Sequence, residues 1–261
     1  MSLQKWVLAS VALCVTAGVT MAEPMRTLFT KENKFPGAMG VELSLAGGGS
    51  SYDGGDSSFS DEDVSTYFVA PGVRFGLADR LTVLAEIPYA GYSADDMDES
   101  GLGDIALGTE FLFFEDIFEY AWIIPHATAI LATGDEDKGL GKGEGQGRLG
   151  LSIGTTVDDV LHYVVDVSYT INGACVEEDG DYDDVLAGSL SLIWDLDARS
   201  SILGEVQVRD DNVDPDDDYA VRGHLGLAFK ITKAMTIMAY GGGASGLAED
   251  FYGMGRLVYS F

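Results

Sequence analysis

The sequence predicts an all-β chain: a single closed antiparallel transmembrane β-barrel of about twelve strands. Three observations predict it. Beyond the first residues, apolar side chains recur at every second position through segments of roughly ten residues, the length a tilted membrane strand needs. The connections between these segments alternate short and long, like the periplasmic turns and external loops of such barrels. The last stretch, FYGMGRLVYSF, is itself one of these segments and ends on Phe261.

The N-terminus reads as a secretory signal. Lys5 gives a small positive start, Trp6 to Val19 is an apolar run too short to span a bilayer, and Thr20-Met21-Ala22 supplies small residues for cleavage after Ala22. Residues 1–22 are therefore assigned to the signal peptide, 23–36 to a short periplasmic lead-in and 37–261 to an outer-membrane barrel. The lead-in has no clear period and carries Arg26, Lys31 and Lys34, a large share of the few bases in the chain; a plug role is the alternative, with no residue pattern to support it. Of the 2 cysteines, Cys14 falls in the signal, leaving Cys175 alone and excluding an internal disulfide.

From there, successive residues of a strand point to opposite faces. Met39, Val41, Leu43 and Leu45 alternate with Gly40, Glu42, Ser44 and Ala46. Tyr67, Val69, Val73 and Phe75 alternate with Phe68, Ala70, Gly72 and Arg74; Leu81, Val83, Ala85 and Ile87 with Thr82, Leu84 and Glu86; and Leu107, Thr109 and Phe111 with Asp104, Gly108 and Glu110. In the segment from Tyr120 to Thr133 the period is ambiguous. His126 and Thr128 are placed inside because an imidazole in lipid is costly.

The second half alternates more cleanly. Leu149, Leu151 and Ile153 oppose Arg148, Gly150 and Ser152; Tyr163, Val165, Val167 and Tyr169 oppose His162, Asp166, Ser168 and Thr170. Leu190 and Leu192 oppose Ser189 and Ser191, Val206 and Val208 oppose Glu205 and Arg209, and Val221, Leu225 and Leu227 oppose Arg222, His224 and Gly226. Ile237 and Ala239 follow, and then the closing strand, where Leu257, Tyr259 and Phe261 oppose Arg256 and Val258. Short connections fall at 77–80, 115–119, 158–160, 195–199 and 230–234. Long ones fall at 49–63, 93–103, 134–145, 173–183, 210–218 and 246–250. Aromatics near strand ends fit interfacial girdles.

Charge separates by place. The net charge of −28 and pI of about 4.1 leave no basic surplus to neutralise phosphates, which excludes nucleic acid as a partner. Most of the 43 acids crowd into the long loops, giving an external acidic rim that includes Asp61, Asp95, Asp96, Asp135, Asp181, Asp216, Asp217 and Asp218. Such a rim keeps loops solvated and forms a vestibule that favours cations. None of the loops has the full spacing of a calcium-binding loop, so no metal and no cofactor are assigned. The inward faces hold both signs: Glu42, Arg74, Glu86, Glu110, Arg148, Asp166, Glu205, Arg222, His224 and Arg256 are expected to line the pore. They could pair into a network that braces the wall, or set a transverse field along a water-filled path.

Two motif groups carry a family resemblance. FGLADRLTVLAEIPY (Phe75 to Tyr89) is followed by GLGDIALGTEF (Gly101 to Phe111), and ATGDEDKGLGKGEG runs from Ala132 to Gly145. This order resembles the MetA-pathway of phenol degradation family of transporter-like outer-membrane proteins. The chain departs at Ala132, where that family usually has proline. The resemblance implies a barrel that moves small aromatic or hydrophobic molecules. Independently of it, Gly101 and Gly103 read as turn or bulge residues and Asp104 as an inward strand-start residue. The C-terminal aromatic pattern also resembles the insertion signal of outer-membrane barrels, which implies the barrel-assembly machinery as a partner through Phe261. Outer-membrane lipid, lipopolysaccharide and a small-molecule solute complete the expected partners.

The first functional reading is an outer-membrane channel or passive transporter for small solutes. A structural or adhesive barrel with cation-binding loops is the alternative. A hydrolase ranks below both, because no Ser-His-acid spacing can be assembled around His126, His162 and His224.

Overall fold

A strand whose alternate side chains are apolar and polar is stable when its two faces meet different solvents, and here fifteen strands among the described residues, most of them of this kind, close on one another. The computed structural model describes residues 23–52, 64–94, 97–117, 120–172, 184–210, 219–246 and 250–261. The segments are β1 (Val41–Tyr52), β2 (Val64–Ala78), β3 (Leu81–Glu86), β4 (Tyr89–Ala94), β5 (Met97–Leu102), β6 (Ile105–Phe111), β7 (Phe114–Ile117) and β8 (Ala121–Leu131). They continue with β9 (Gln146–Val157), β10 (Leu161–Ile171), β11 (Val185–Asp195), β12 (Ser200–Arg209), β13 (Ala220–Lys230), β14 (Met235–Ser245) and β15 (Phe251–Ser260).

Every pairing is between antiparallel neighbours, and β1 pairs with both β2 and β15, so the sheet has no free ends at its seam. The wall is a twelve-strand barrel because two of its staves are interrupted. β3 pairs with the inner half of β2 and β4 with its outer half, which makes β3 and β4 one stave. The interruption falls at Ile87 and Pro88, where proline has no N–H to give the ladder. The next stave is β5, β6 and β7, broken at Gly103–Asp104 and at Leu112–Phe113. The connection expected at 93–103 is thus largely the β4–β5 hairpin, which puts Asp98 and Glu99 on a strand. Part of the turn expected at 115–119 is likewise strand β7.

Burial follows the alternation. Along β10 the exposed set is Tyr163, Val165, Val167, Tyr169 and Ile171, while Val164, Asp166, Ser168 and Thr170 are buried. An exposed apolar face of this length is what a hydrocarbon solvent rewards. The β9–β10 connection is tight because Asp158 and Asp159 both take positive φ (52° and 59°), the backbone of a two-residue type I′ turn. On β15, Leu257 and Tyr259 face outward, the Tyr259 ring lies edge-on to Phe261 at 4.7 Å, and the Phe261 N–H donates to the Val41 carbonyl at 2.8 Å.

Residues 23–36, expected as a lead-in on the periplasmic side, lie instead inside the barrel. Met25, Arg26, Thr27, Thr30 and Glu32 are all buried. The missing period explains the misreading: this segment makes no ladder, so its partners are scattered inward side chains that alternation cannot announce. The signal peptide, Cys175 and the rim acids Asp61, Asp95, Asp96, Asp181, Asp216, Asp217 and Asp218 fall outside the described residues. Asp135 is exposed, at the start of a single 3-10 turn, Glu136–Lys138.

Candidate functional site

The candidate site is the barrel lumen together with the segment seated in it. All ten residues expected along the pore sit on the inner face of the wall, in three settings.

The first is a buried ion cluster. The Arg74 guanidinium bonds the Glu42 carboxylate at 2.5 Å and the Glu110 carboxylate at 2.8 Å, and Lys31 reaches the other Glu110 oxygen at 3.1 Å. These charges come from β1, β2, β6 and the N-terminal segment, so the cluster clamps the first staves together. A pair so deeply buried persists only if every member is matched, since removing one leaves an uncompensated charge.

The second setting repeats a motif. Each histidine is matched to one carboxylate, and each of these carboxylates also takes a serine hydroxyl. His126 Nε2 lies 2.7 Å from Asp166, which accepts from Ser152 at 2.5 Å. His224 Nε2 lies 2.9 Å from Glu205, which accepts from Ser191 at 2.5 Å. His162 Nε2 lies 3.0 Å from Asp195, which accepts from Ser201 at 2.6 Å. The inward rings find space over glycines across the ladder. A Cβ on Gly150 would sit 2.3 Å from the His126 ring, and one on Gly154 2.3 Å from Trp122. Only glycine admits such approach.

The third setting is open. Glu86, Arg148, Arg222 and Arg256 line a cavity of about 430 Å³, along with Lys31, Arg209 and the tip of the N-terminal segment. Arg148 donates to Thr170 at 3.0 Å, and the Arg222 guanidinium stacks 4.6 Å over Tyr252 and 5.3 Å over Phe29.

The segment forming the floor of that cavity is a folded finger. It begins and ends at the short-turn rim, where Glu23 bonds Lys230 and also Lys34 of its own returning arm. Burial would raise the Glu23 carboxyl, but the two ammonium groups outweigh it and hold it near 2, well below its ordinary 4.5. Higher up, Arg26 pairs with Glu32 across the two arms at 2.8 Å, and the Thr27 hydroxyl donates to the Thr30 carbonyl at 2.9 Å. Burial works against the Arg26 charge, and Glu32 and Asp195 reverse it, raising that guanidinium above its ordinary value.

The wall recognises the finger through its backbone. Glu205 accepts the N–H groups of Leu28 at 2.7 Å and Phe29 at 3.2 Å, Ser152 accepts that of Lys31 at 2.9 Å, and the Tyr240 hydroxyl donates to the Arg26 carbonyl at 2.6 Å. Thr30 and Ser191 share a hydrogen bond of 2.8 Å, and Arg26 reaches Asp195 and Ser201. Leu28 and Phe35 pack against an apolar layer of inward side chains, among them Trp122, Ile124, Ile193, Leu203 and Met238. Sequence reading held a plug role for residues 23–36 only as an unsupported alternative, and it missed the part that the serines and tyrosine play in holding the finger. The available signal was charge: three bases in one aperiodic stretch, in a chain whose inward acids outnumber their strand partners.

Asp104 does something other than face the lumen. Its carboxylate accepts the N–H groups of Thr133 at 3.1 Å, Gly134 at 2.8 Å and Lys142 at 3.0 Å, so the Gly-x-Gly-Asp and Thr-Gly-Asp motifs together form one staple for the 132–145 loop.

Comparison with protein-family models and with curated protein sequences finds no match. Among solved structures, the fold is similar to the COG4313 outer membrane channel from Pseudomonas putida F1. The TM-score is 0.74, at 14% identity over 92% of this chain and 100% of that one. It is also similar to the KdgM porin, with a TM-score of 0.53 and 10% identity over 85% of this chain and 99% of the porin. The fold is thus that of outer-membrane barrels.

Proposed function

We propose that this chain is an outer-membrane channel or passive transporter for small solutes, small hydrophobic or aromatic compounds among them, with an acidic outer mouth that favours cations. One observation carries the reading: a closed wall with an apolar outer face surrounds a cavity of about 430 Å³ lined by charged and polar side chains. That volume lies within the range of small-molecule sites. Twelve strands fall between filled eight-stranded barrels and the open 16–18-stranded porins, so a narrow path is expected. The likeness to barrels described as a channel and a porin supports the reading at the level of fold.

An enzyme is disfavoured by hydrogen-bond direction. Ser152, Ser191 and Ser201 each donate to a carboxylate and leave the imidazole aside, whereas a serine nucleophile needs its hydroxyl on the base. The test is recording from refolded protein in planar bilayers, with liposome swelling in benzyl alcohol and in benzoate. Discrete conductance and solute entry are expected. Silent bilayers together with impermeable liposomes would overturn the reading.

A further inference from the structure

Residues 23–36 have the features of a ligand more than of a wall. Their internal ties (Arg26 to Glu32, Thr27 to Thr30, Glu23 to Lys34) close the two arms on each other without help from the barrel. Two ion pairs therefore travel with the finger, whereas Lys31 takes its partner, Glu110, from the wall. Its contacts with the wall are those by which proteins hold an extended peptide: backbone N–H groups given to Glu205 and Ser152, and one backbone carbonyl bonded by Tyr240. Phe29 at the tip is gripped by rings and a cation, lying 4.8 Å from His224 with Arg222 over its face.

The attachment runs through one glycine. Gly37 takes φ of +78° with no atom near its missing side chain, and directly after it the chain is fixed: Ala38 donates to Asp79 at 3.0 Å and Met39 to the Gly76 carbonyl at 2.8 Å. Gly37, whose carbonyl accepts the Gly40 N–H at 3.0 Å, is thus the glycine step between the finger and the first residues anchored to the wall.

We propose that the inner wall around Glu205, Ser191, Ser152 and Tyr240 is a peptide-binding site, and that residues 23–36 are its tethered blocker. The channel opens when this finger withdraws toward the short-turn side about Gly37. This inference rests on the channel reading above.

A reversible lock tests it in the full chain. The Thr30 and Ser191 hydroxyl oxygens stand 2.8 Å apart, so cysteines there can close a disulfide with little movement. Thr30→Cys and Ser191→Cys are combined with Cys175→Ser, and with Cys14→Ser where residues 1–22 are retained, so that no other thiol competes. In planar bilayers the oxidised protein is expected to hold its lowest conductance level. Dithiothreitol should restore transitions to a level severalfold higher, and reoxidation should abolish them. A second protein lacking residues 23–36 should stay at the high level. A synthetic peptide of residues 23–36, added on the short-turn side, should lower it again. Equal conductance in the oxidised, reduced and shortened proteins would overturn the blocker while leaving the channel intact. Silence in all three would overturn the channel reading, and the blocker with it.

Discussion

Glu205 holds four groups at once. One oxygen takes the Leu28 N–H and faces His224, and the other takes Phe29 and Ser191. Glu205→Gln keeps the shape but turns one acceptor into a donor pointed at N–H groups. A hydrogen bond to a charged group is worth about 1.5–3 kcal/mol. The variant should therefore loosen the finger by an amount of that order, seen as faster proteolysis between residues 24 and 34 with an unchanged barrel melting temperature. Glu23 gives a pH signature at the base of the same finger. Its carboxyl is depressed in the folded state, so its contribution is complete above pH 4.5 and fades as pH falls toward about 2. The group is partly exposed, so the effect is small. Proteolytic release of the finger should rise across that window, and Glu23→Gln should remove the pH dependence. The inward position of Glu205 could be read from alternation with Val206 and Val208. Its four partners could not, because two lie on other strands and two on a segment with no period at all.

At the scale of elements, the strands from β9 onward were legible almost to their ends, because each alternates without interruption from one connection to the next. The third and fourth staves were not. Pro88 and the Gly103–Asp104 step cut each into pieces, and an interrupted stave reads as a short strand beside a long loop. The outer faces can be tested directly. Val165 is half-exposed at mid-strand on β10, and Asp166 beside it is buried inward. Val165→Arg should cost about 2–4 kcal/mol in bilayer unfolding measurements, the expense of a cation at the hydrocarbon midplane. Asp104 is the element-scale device of the outer half. Asp104→Ala would orphan the N–H groups of Thr133, Gly134 and Lys142, and faster amide exchange should be confined to residues 132–145. The exchange of β10 to β14 should not change. An Asp104 acting only as a lumen wall residue would leave the loop protected.

On the proposed reading, the whole molecule sets two fields in series. Its net charge of −28 sits mainly in acids that the sequence places in the long outer connections, whereas Arg148, Arg209, Arg222 and Arg256 line the cavity. The two should respond differently to salt. Loop carboxylates act through water, where screening shortens their reach from about 8 Å at physiological salt to about 3 Å at 1 M. Lumen charges act across a narrow gap walled by protein, where ions screen them far less. Changing Asp214, Asp216, Asp217 and Asp218 together to Asn should therefore reduce cation preference in reversal-potential measurements at low salt, and the difference should vanish near 1 M. Arg256→Gln should shift selectivity toward cations at both salt concentrations. If the loop variant kept its full effect at high salt, those acids would have to lie within the conducting path, and the division of labour between rim and lumen would fall.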